Sequence, residues 1–155
     1  MIVILTAPIQ SGKTTSLINW SGARNDVHGI LTPVVGGKRI FMNAQTREQF
    51  PMETTGSSVP LRTDIIAAGR FEFSKKEFEK AIQIIRDAFN KNGWLVIDEI
   101  GPLELRGEGF CDVLKEVLLV RKEKIVLVVR EGMAEQVKKH FSIHTAVCIS
   151  SMTDL

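Results

Sequence analysis

An α/β fold, with helices layered on a mostly parallel sheet that carries an inserted antiparallel hairpin, is what this sequence predicts on three observations. The apolar strand Ile2-Val3-Ile4-Leu5 runs directly into a loop containing glycine and lysine and then into a helical pattern. Two further runs, Trp94-Leu95-Val96-Ile97 and Ile125-Val126-Leu127-Val128-Val129, are continuously apolar, as in parallel strands covered on both faces. Segments of helical period separate these runs, and that alternation builds a parallel sheet. The 155 residues, 44% hydrophobic, are the size expected of a single domain over 1–155 with one substantial core.

The first strand ends in Ala7-Pro8-Ile9-Gln10-Ser11-Gly12-Lys13-Thr14-Thr15, which has the spacing of a phosphate-binding P-loop. Such a loop needs small residues where the backbone folds tightly, so that successive N–H groups point at phosphate oxygens. Gly12 supplies that freedom, and the helix beginning near Lys13 adds its unpaired N–H groups and positive dipole end. Lys13 can then reach the β- and γ-phosphates and Thr14 can ligate Mg²⁺. Ala7 stands where the usual motif has glycine, a change tolerated if φ is negative there. A nucleoside triphosphate is therefore the expected ligand, and the fold class narrows to a P-loop NTPase three-layer sandwich.

The remaining elements follow in order. Residues 13–23 read as the first helix, with Leu17, Ile18 and Trp20 available to the sheet and Gly22 loosening its end. From His28 the pattern turns to strands: Ile30, Leu31, Val34 and Val35 lead into Gly36-Gly37, and Lys38-Arg39-Ile40-Phe41-Met42 leads out. A Gly-Gly pair between such runs is a hairpin turn tolerant of positive φ. A further extended piece is expected from Gln49 to Thr54, then a turn at Gly56-Ser57-Ser58; the section up to Phe73 is the least regular. Ser74-Lys75-Lys76-Glu77 has capping-box spacing, and Phe78, Ala81, Ile82, Ile85, Ala88 and Phe89 recur at helical period until Asn92-Gly93 stops them. The strand from Trp94 ends in Asp98-Glu99. A helix with Phe110, Val113, Leu114, Val117 and Leu118 on one face follows, then the strand closing at Arg130, a short helix around Met133, Ala134 and Val137, and a last strand at Ala146-Val147-Cys148-Ile149.

Ligands of open parallel sheets sit beyond the carboxyl ends of the strands, where the P-loop, Asp98-Glu99 and Arg130 should all emerge. Asp98 reads as the Walker B carboxylate, acting on the Mg²⁺ that Thr14 also holds. Glu99, one residue on, leaves an extended strand on the opposite face, so general base for water is the role open to it. The transition state needs positive charge beyond Lys13; Arg130 is the first candidate and Arg106 the second. Catalytic residues on this reading are Lys13, Glu99 and Arg130, and the metal residues are Thr14 and Asp98.

The run from Val96 through Asp98-Glu99-Ile100-Gly101-Pro102-Leu103-Glu104-Leu105, closing in Gly109-Phe110, resembles the Walker B region of the small P-loop nucleoside-triphosphatase family first known from thermophiles. Gly29-Ile30-Leu31-Thr32-Pro33 is similar to that family's second glycine-containing strand. The resemblance implies slow, Mg²⁺-dependent hydrolysis of the γ-phosphate of ATP, GTP and other nucleoside triphosphates with loose base selectivity, the metal carboxylate being Asp98 and the base Glu99. No Asn-Lys-x-Asp motif for reading guanine occurs in the sequence, which disfavours a dedicated GTPase. A small kinase for a nucleoside, nucleotide or cofactor precursor is the enzyme alternative, although no arginine-rich lid segment is evident. A nucleotide-responsive binding module is the alternative from another class.

Charge and rarer residues bound the remaining possibilities. Twenty basic and 18 acidic side chains give a net +2, too balanced for a nucleic-acid surface; Ser74-Lys75-Lys76, Arg121-Lys122-Glu123-Lys124 and Lys138-Lys139-His140 read as solvated faces. Cys111 and Cys148 lie in apolar periodic segments without Cys-x-x-Cys spacing and are expected as buried free thiols of a reducing compartment. His28, His140 and His144 lack metal-ligand spacing, so zinc is not expected. The apolar amino terminus is only a strand long and has no basic flank. A soluble, cytoplasmic protein with no membrane or nucleic-acid partner is the expectation, its oligomeric state open.

Overall fold

The computed structural model describes residues 1–54 and 62–155; the turn expected at Gly56-Ser57-Ser58 lies outside the described residues. Along the chain the elements are β1 (Ile2–Leu5), α1 (Lys13–Gly22), β2 (Val27–Leu31), β3 (Val34–Val35), β4 (Lys38–Asn43), β5 (Gln49–Pro51), β6 (Ile65–Ala68), β7 (Phe71–Ser74), α2 (Lys75–Asp87), β8 (Trp94–Ile100), α3 (Pro102–Leu105), α4 (Cys111–Val120), β9 (Ile125–Val129), α5 (Ala134–His140) and β10 (Val147–Ile149). The main sheet runs β10-β1-β9-β8-β2-β4-β3, with β5 on β4. The five strands from β10 to β2 are parallel, and β4 reverses direction against β2.

Strand periodicity sorts the core into two layers. Val3, Leu5, Val96, Val126 and Val128 face one side, where Leu17 of α1 and Met152 complete the cluster. Ile4, Leu95, Ile97, Ile125 and Leu127 face the other, against Phe78, Ala81 and Ile85 of α2 and Val113, Leu114 and Val117 of α4. Helices on both faces make the predicted three-layer sandwich, and each fully buried aliphatic side chain contributes about 1.5–3 kcal/mol. Phe41 of β4 stacks edge-on against Phe78, 5.0 Å between ring centroids, which ties the antiparallel extension to the same core.

Local signals locate most boundaries. Gly36 and Gly37 take φ of 59° and 78°, the double left-handed turn expected of this hairpin. The Ser74 side chain caps α2 by accepting from the Glu77 amide at 3.3 Å. Gly29 is demanded by packing as well as by conformation: its φ is +109°, and a Cβ there would lie 2.0 Å from the Val96 carbonyl oxygen. That close approach lets β2 pair with β8, the strand carrying Asp98.

Several expectations need correction. Ala88 and Phe89 lie beyond the end of α2, which closes at Asp87. The irregular section before Ser74 contains a hairpin, β6 and β7, joined at Gly69-Arg70 with Gly69 at φ 58°. Cys111 is buried as expected, but Cys148 is exposed. It sits on β10, the edge strand, so only one neighbouring strand screens it and Lys138 of the short α5 lies beside it. No helix among the described residues is long and apolar enough to cross a membrane.

Candidate active site

The loop after β1 has the conformation its sequence requires. Gln10 and Gly12 take φ of 61° and 84°, left-handed values that turn consecutive N–H groups toward a common side. Ala7 is absent from the positive-φ residues and is buried, so its methyl group is accommodated without strain. Gly12 caps α1, and the Ser16 amide already bonds the Gly12 carbonyl at 2.8 Å. The Lys13 ammonium folds back over the loop and donates to the Ala7 carbonyl at 2.6 Å. Pro8, Ile9, Gln10, Ser11, Gly12 and Thr15 are exposed, while Lys13 and Thr14 are half-buried at the loop's base.

Asp98 lies across the sheet end from this loop. It shares the parity of Val96, which places it on the α1 side, and it is completely buried. Its Oδ2 accepts the Thr32 amide at 3.0 Å and faces the Thr14 hydroxyl at 3.5 Å, the limit of a hydrogen bond. Its Oδ1 has no partner among the described residues, nor do the buried hydroxyls of Thr6 and Thr32. Burial pushes the Asp98 carboxyl up to about 6, the Glu99 charge adds to the rise, and the Thr32 amide opposes it. A buried carboxylate oxygen with unused lone pairs beside a threonine hydroxyl is a hard-oxygen set of the kind that completes a Mg²⁺ shell with phosphates and water. These residues fit that ion. Among the described residues no group of three His, Cys, Asp or Glu side chains could hold a metal ion by itself.

Glu99 departs from simple strand alternation. Ile97 pairs with Leu127 and Ile100 with Val129, so β8 holds one extra residue between them. Glu99 takes φ 68°, and Ile100 thereby joins the same core face as Leu95 and Ile97. A bulge of this kind re-aims a side chain next to a functional site. The Glu99 carboxylate forms an ion pair with the Arg39 guanidinium of β4. Pleating, on which the expected separation of the two acids rested, is therefore replaced here by a bulge.

Arg130 follows β9, which lies between the P-loop strand β1 and the Asp98 strand β8. Its amide donates to the Ile100 carbonyl at 3.0 Å, and its side chain is exposed, with no ion pair among the described residues. Arg106, the second candidate, is otherwise engaged: it pairs with Glu108 at 3.1 Å and donates to the Ala67 carbonyl of β6.

Two side chains without an assigned task belong to this region. Glu104 is buried and accepts the Gly101 amide at 2.9 Å and the Phe110 amide at 3.2 Å, pinning the chain that follows β8. Burial pushes its carboxyl up to about 7 against the pull of those amides. Gly109 is required beside it, since a Cβ would sit 2.5 Å from Glu104 Oε1. Arg39 is the other, and no local pattern signals it because its partner is 60 residues away.

A strand, phosphate loop and helix facing a buried aspartate on this sheet order define a P-loop nucleotide-binding α/β protein. The model of the NTPase family matches residues 2–154, and the chain belongs to that family. The nucleoside-triphosphatase THEP1 of Methanopyrus kandleri is 26% identical over 122 residues, 73% of this chain and 64% of that protein. The chain thus spans just under two thirds of that relative. Among solved structures, the crystal structure of THEP1 from the hyperthermophile Aquifex aeolicus superposes with a TM-score of 0.75 at 21% identity, covering 99% of this chain and 91% of that one. The solution structure of a human cancer-related nucleoside triphosphatase gives 0.69 at 23% identity, covering 96% and 87%. These two likenesses are of fold. The family resemblance read from the Asp98-Glu99 segment is borne out.

Proposed function

We propose that the chain is a Mg²⁺-dependent nucleoside-triphosphate phosphohydrolase that cleaves the γ-phosphate of ATP, GTP and other triphosphates with loose base selectivity. The observation that carries this reading is the division of labour on β8. Asp98 is buried facing Thr14, whereas Glu99 is bulged out and half-exposed. That difference supports Asp98 as the acid for the metal and Glu99 as the acid for water.

In this mechanism the backbone N–H groups of residues 7–15 cradle the phosphates. Lys13 exchanges its contacts with the Ala7 and Pro8 carbonyls for β- and γ-phosphate oxygens. Thr14 and Asp98 would hold Mg²⁺, which when bound neutralises charge on those oxygens. Glu99 takes a proton from water as the water oxygen bonds to the γ-phosphorus. The bond from phosphorus to the bridging oxygen breaks, and the nucleoside diphosphate departs with its electron pair. Arg130, emerging between β1 and β8, supplies positive charge to the transferring group. The lack of an Asn-Lys-x-Asp motif supports loose base selectivity.

The proposal treats residues 1–155 as one P-loop domain acting in the cytoplasm, where triphosphate and Mg²⁺ are both available. A phosphate-release screen over the common nucleoside triphosphates, with and without Mg²⁺ and added acceptor alcohols, tests it. Release from several triphosphates that needs Mg²⁺ and no acceptor is the expected result. Phosphate transfer to an acceptor without release to water would overturn the reading in favour of a kinase.

A further inference from the structure

We infer that Arg39 is the positioning residue of Glu99: reaching across from β4, its guanidinium fixes the carboxylate in the orientation from which it acts on water. This rests on the reading of Glu99 as the base. The bulge in β8 decides where the Glu99 backbone lies but not where its carboxylate points. A glutamate side chain has several rotatable bonds, and this one is 38% exposed, so the strand alone leaves it many rotamers. A base must be held within hydrogen-bond reach of the proton that it takes.

Arg39 supplies that restraint from a rigid mount. Its Cα is paired with Val34 in the β3–β4 hairpin, its amide donates to Glu53 Oε2 at 2.6 Å, and the next amide, Ile40, donates to the Pro33 carbonyl at 3.0 Å. Because β4 runs antiparallel to β2, with Leu31 opposite Met42, the first residues of β4 project past the carboxyl end of β2. That is the edge where Glu99 leaves β8. The Arg39 side chain is 31% exposed, and the planar fork of its guanidinium orients a carboxylate more narrowly than an ammonium does. An exposed ion pair contributes little to folding, so the contact serves Glu99 orientation far more than stability.

The test is single-turnover phosphate release from Mg²⁺-ATP by the wild type, R39A, R39K, E99Q and the double variant R39A/E99Q, with ATP affinity measured by calorimetry. Misplacing a catalytic group can cost about 10²-fold, and R39A is expected to slow the reaction by about that factor with ATP affinity unchanged. R39K should lose less than R39A. In the E99Q background, removing Arg39 should cost nothing further, since there is no base left to position. R39A at the wild-type rate, equal losses in R39K and R39A, a fall in ATP affinity that accounts for the slowing, or a full additional loss in the double variant would each overturn the inference. E99Q at the wild-type rate would instead overturn the base assignment beneath it.

Discussion

Replacing Glu104 by glutamine should change how stability depends on pH, and the size of the change follows from the carboxylate's surroundings. Glu104 is 2% exposed and its carboxyl is pushed from an ordinary 4.5 to about 7, chiefly by burial. In this window the native state holds the Glu104 proton more tightly than the unfolded chain, so the contribution of Glu104 to stability is fully present below pH 4.5 and is lost as pH rises toward 7. A shift of that size corresponds to about 3 kcal/mol once the native group is ionised. Glu104→Gln cannot ionise. Its single amide oxygen can serve only one of the Gly101 and Phe110 amides, and leaving the other unsatisfied costs about 1–3 kcal/mol. Urea denaturation of both proteins across this range should therefore find the variant less stable at the acid end. The gap should close or reverse toward neutral pH as the wild type loses its advantage. Asp98 titrates in the same direction in both proteins and cancels in the comparison. A gap that stays constant, or widens as pH rises, would refute the reasoning.

Three further outcomes bear on the site. Lys13→Ala should abolish measurable triphosphate binding by calorimetry while the thermal midpoint holds, because the half-buried ammonium contacts loop carbonyls rather than the core; unchanged affinity would remove Lys13 from the site. Arg130→Ala should lower turnover more than stability, its side chain being exposed at the end of β9, and full activity would direct attention to another cation. Asp98→Asn should raise the Mg²⁺ concentration needed for half-maximal phosphate release, whereas an unaltered Mg²⁺ titration would contradict its assignment to the metal.

The features legible in the sequence were those set by neighbours along the chain. The continuous apolar runs of β8 and β9 identify strands covered on both faces, and the Gly36-Gly37 and Ser74-Glu77 signals mark a turn and a helix start, each within a few residues. The loop and its lysine are local in the same sense. The bulge at Glu99 is not, because it is a register difference between β8 and β9, and a residue pattern on one strand does not record it. Arg39 is invisible for the same reason: its neighbour in the folded chain is set by the antiparallel return of β4. The β6–β7 hairpin leaves little trace in the sequence because Ala67 and Ala68 give weak strand signal and Gly69-Arg70 is a less emphatic turn than a double glycine. By position alone Arg106 is available to the phosphates, and only the packing of β6 near it reveals the Ala67 carbonyl as its partner.

The central claim, that Glu99 activates the attacking water, is tested most directly by single-turnover ATP hydrolysis with Glu99→Gln under saturating Mg²⁺. Glutamine keeps the size of the side chain and can accept a hydrogen bond, but it cannot take up the proton. A general base contributes about 10²–10⁴-fold, so phosphate release should slow within that range while calorimetry records nucleotide binding close to that of the wild type. Hydrolysis at the wild-type rate would contradict the account and place the base elsewhere.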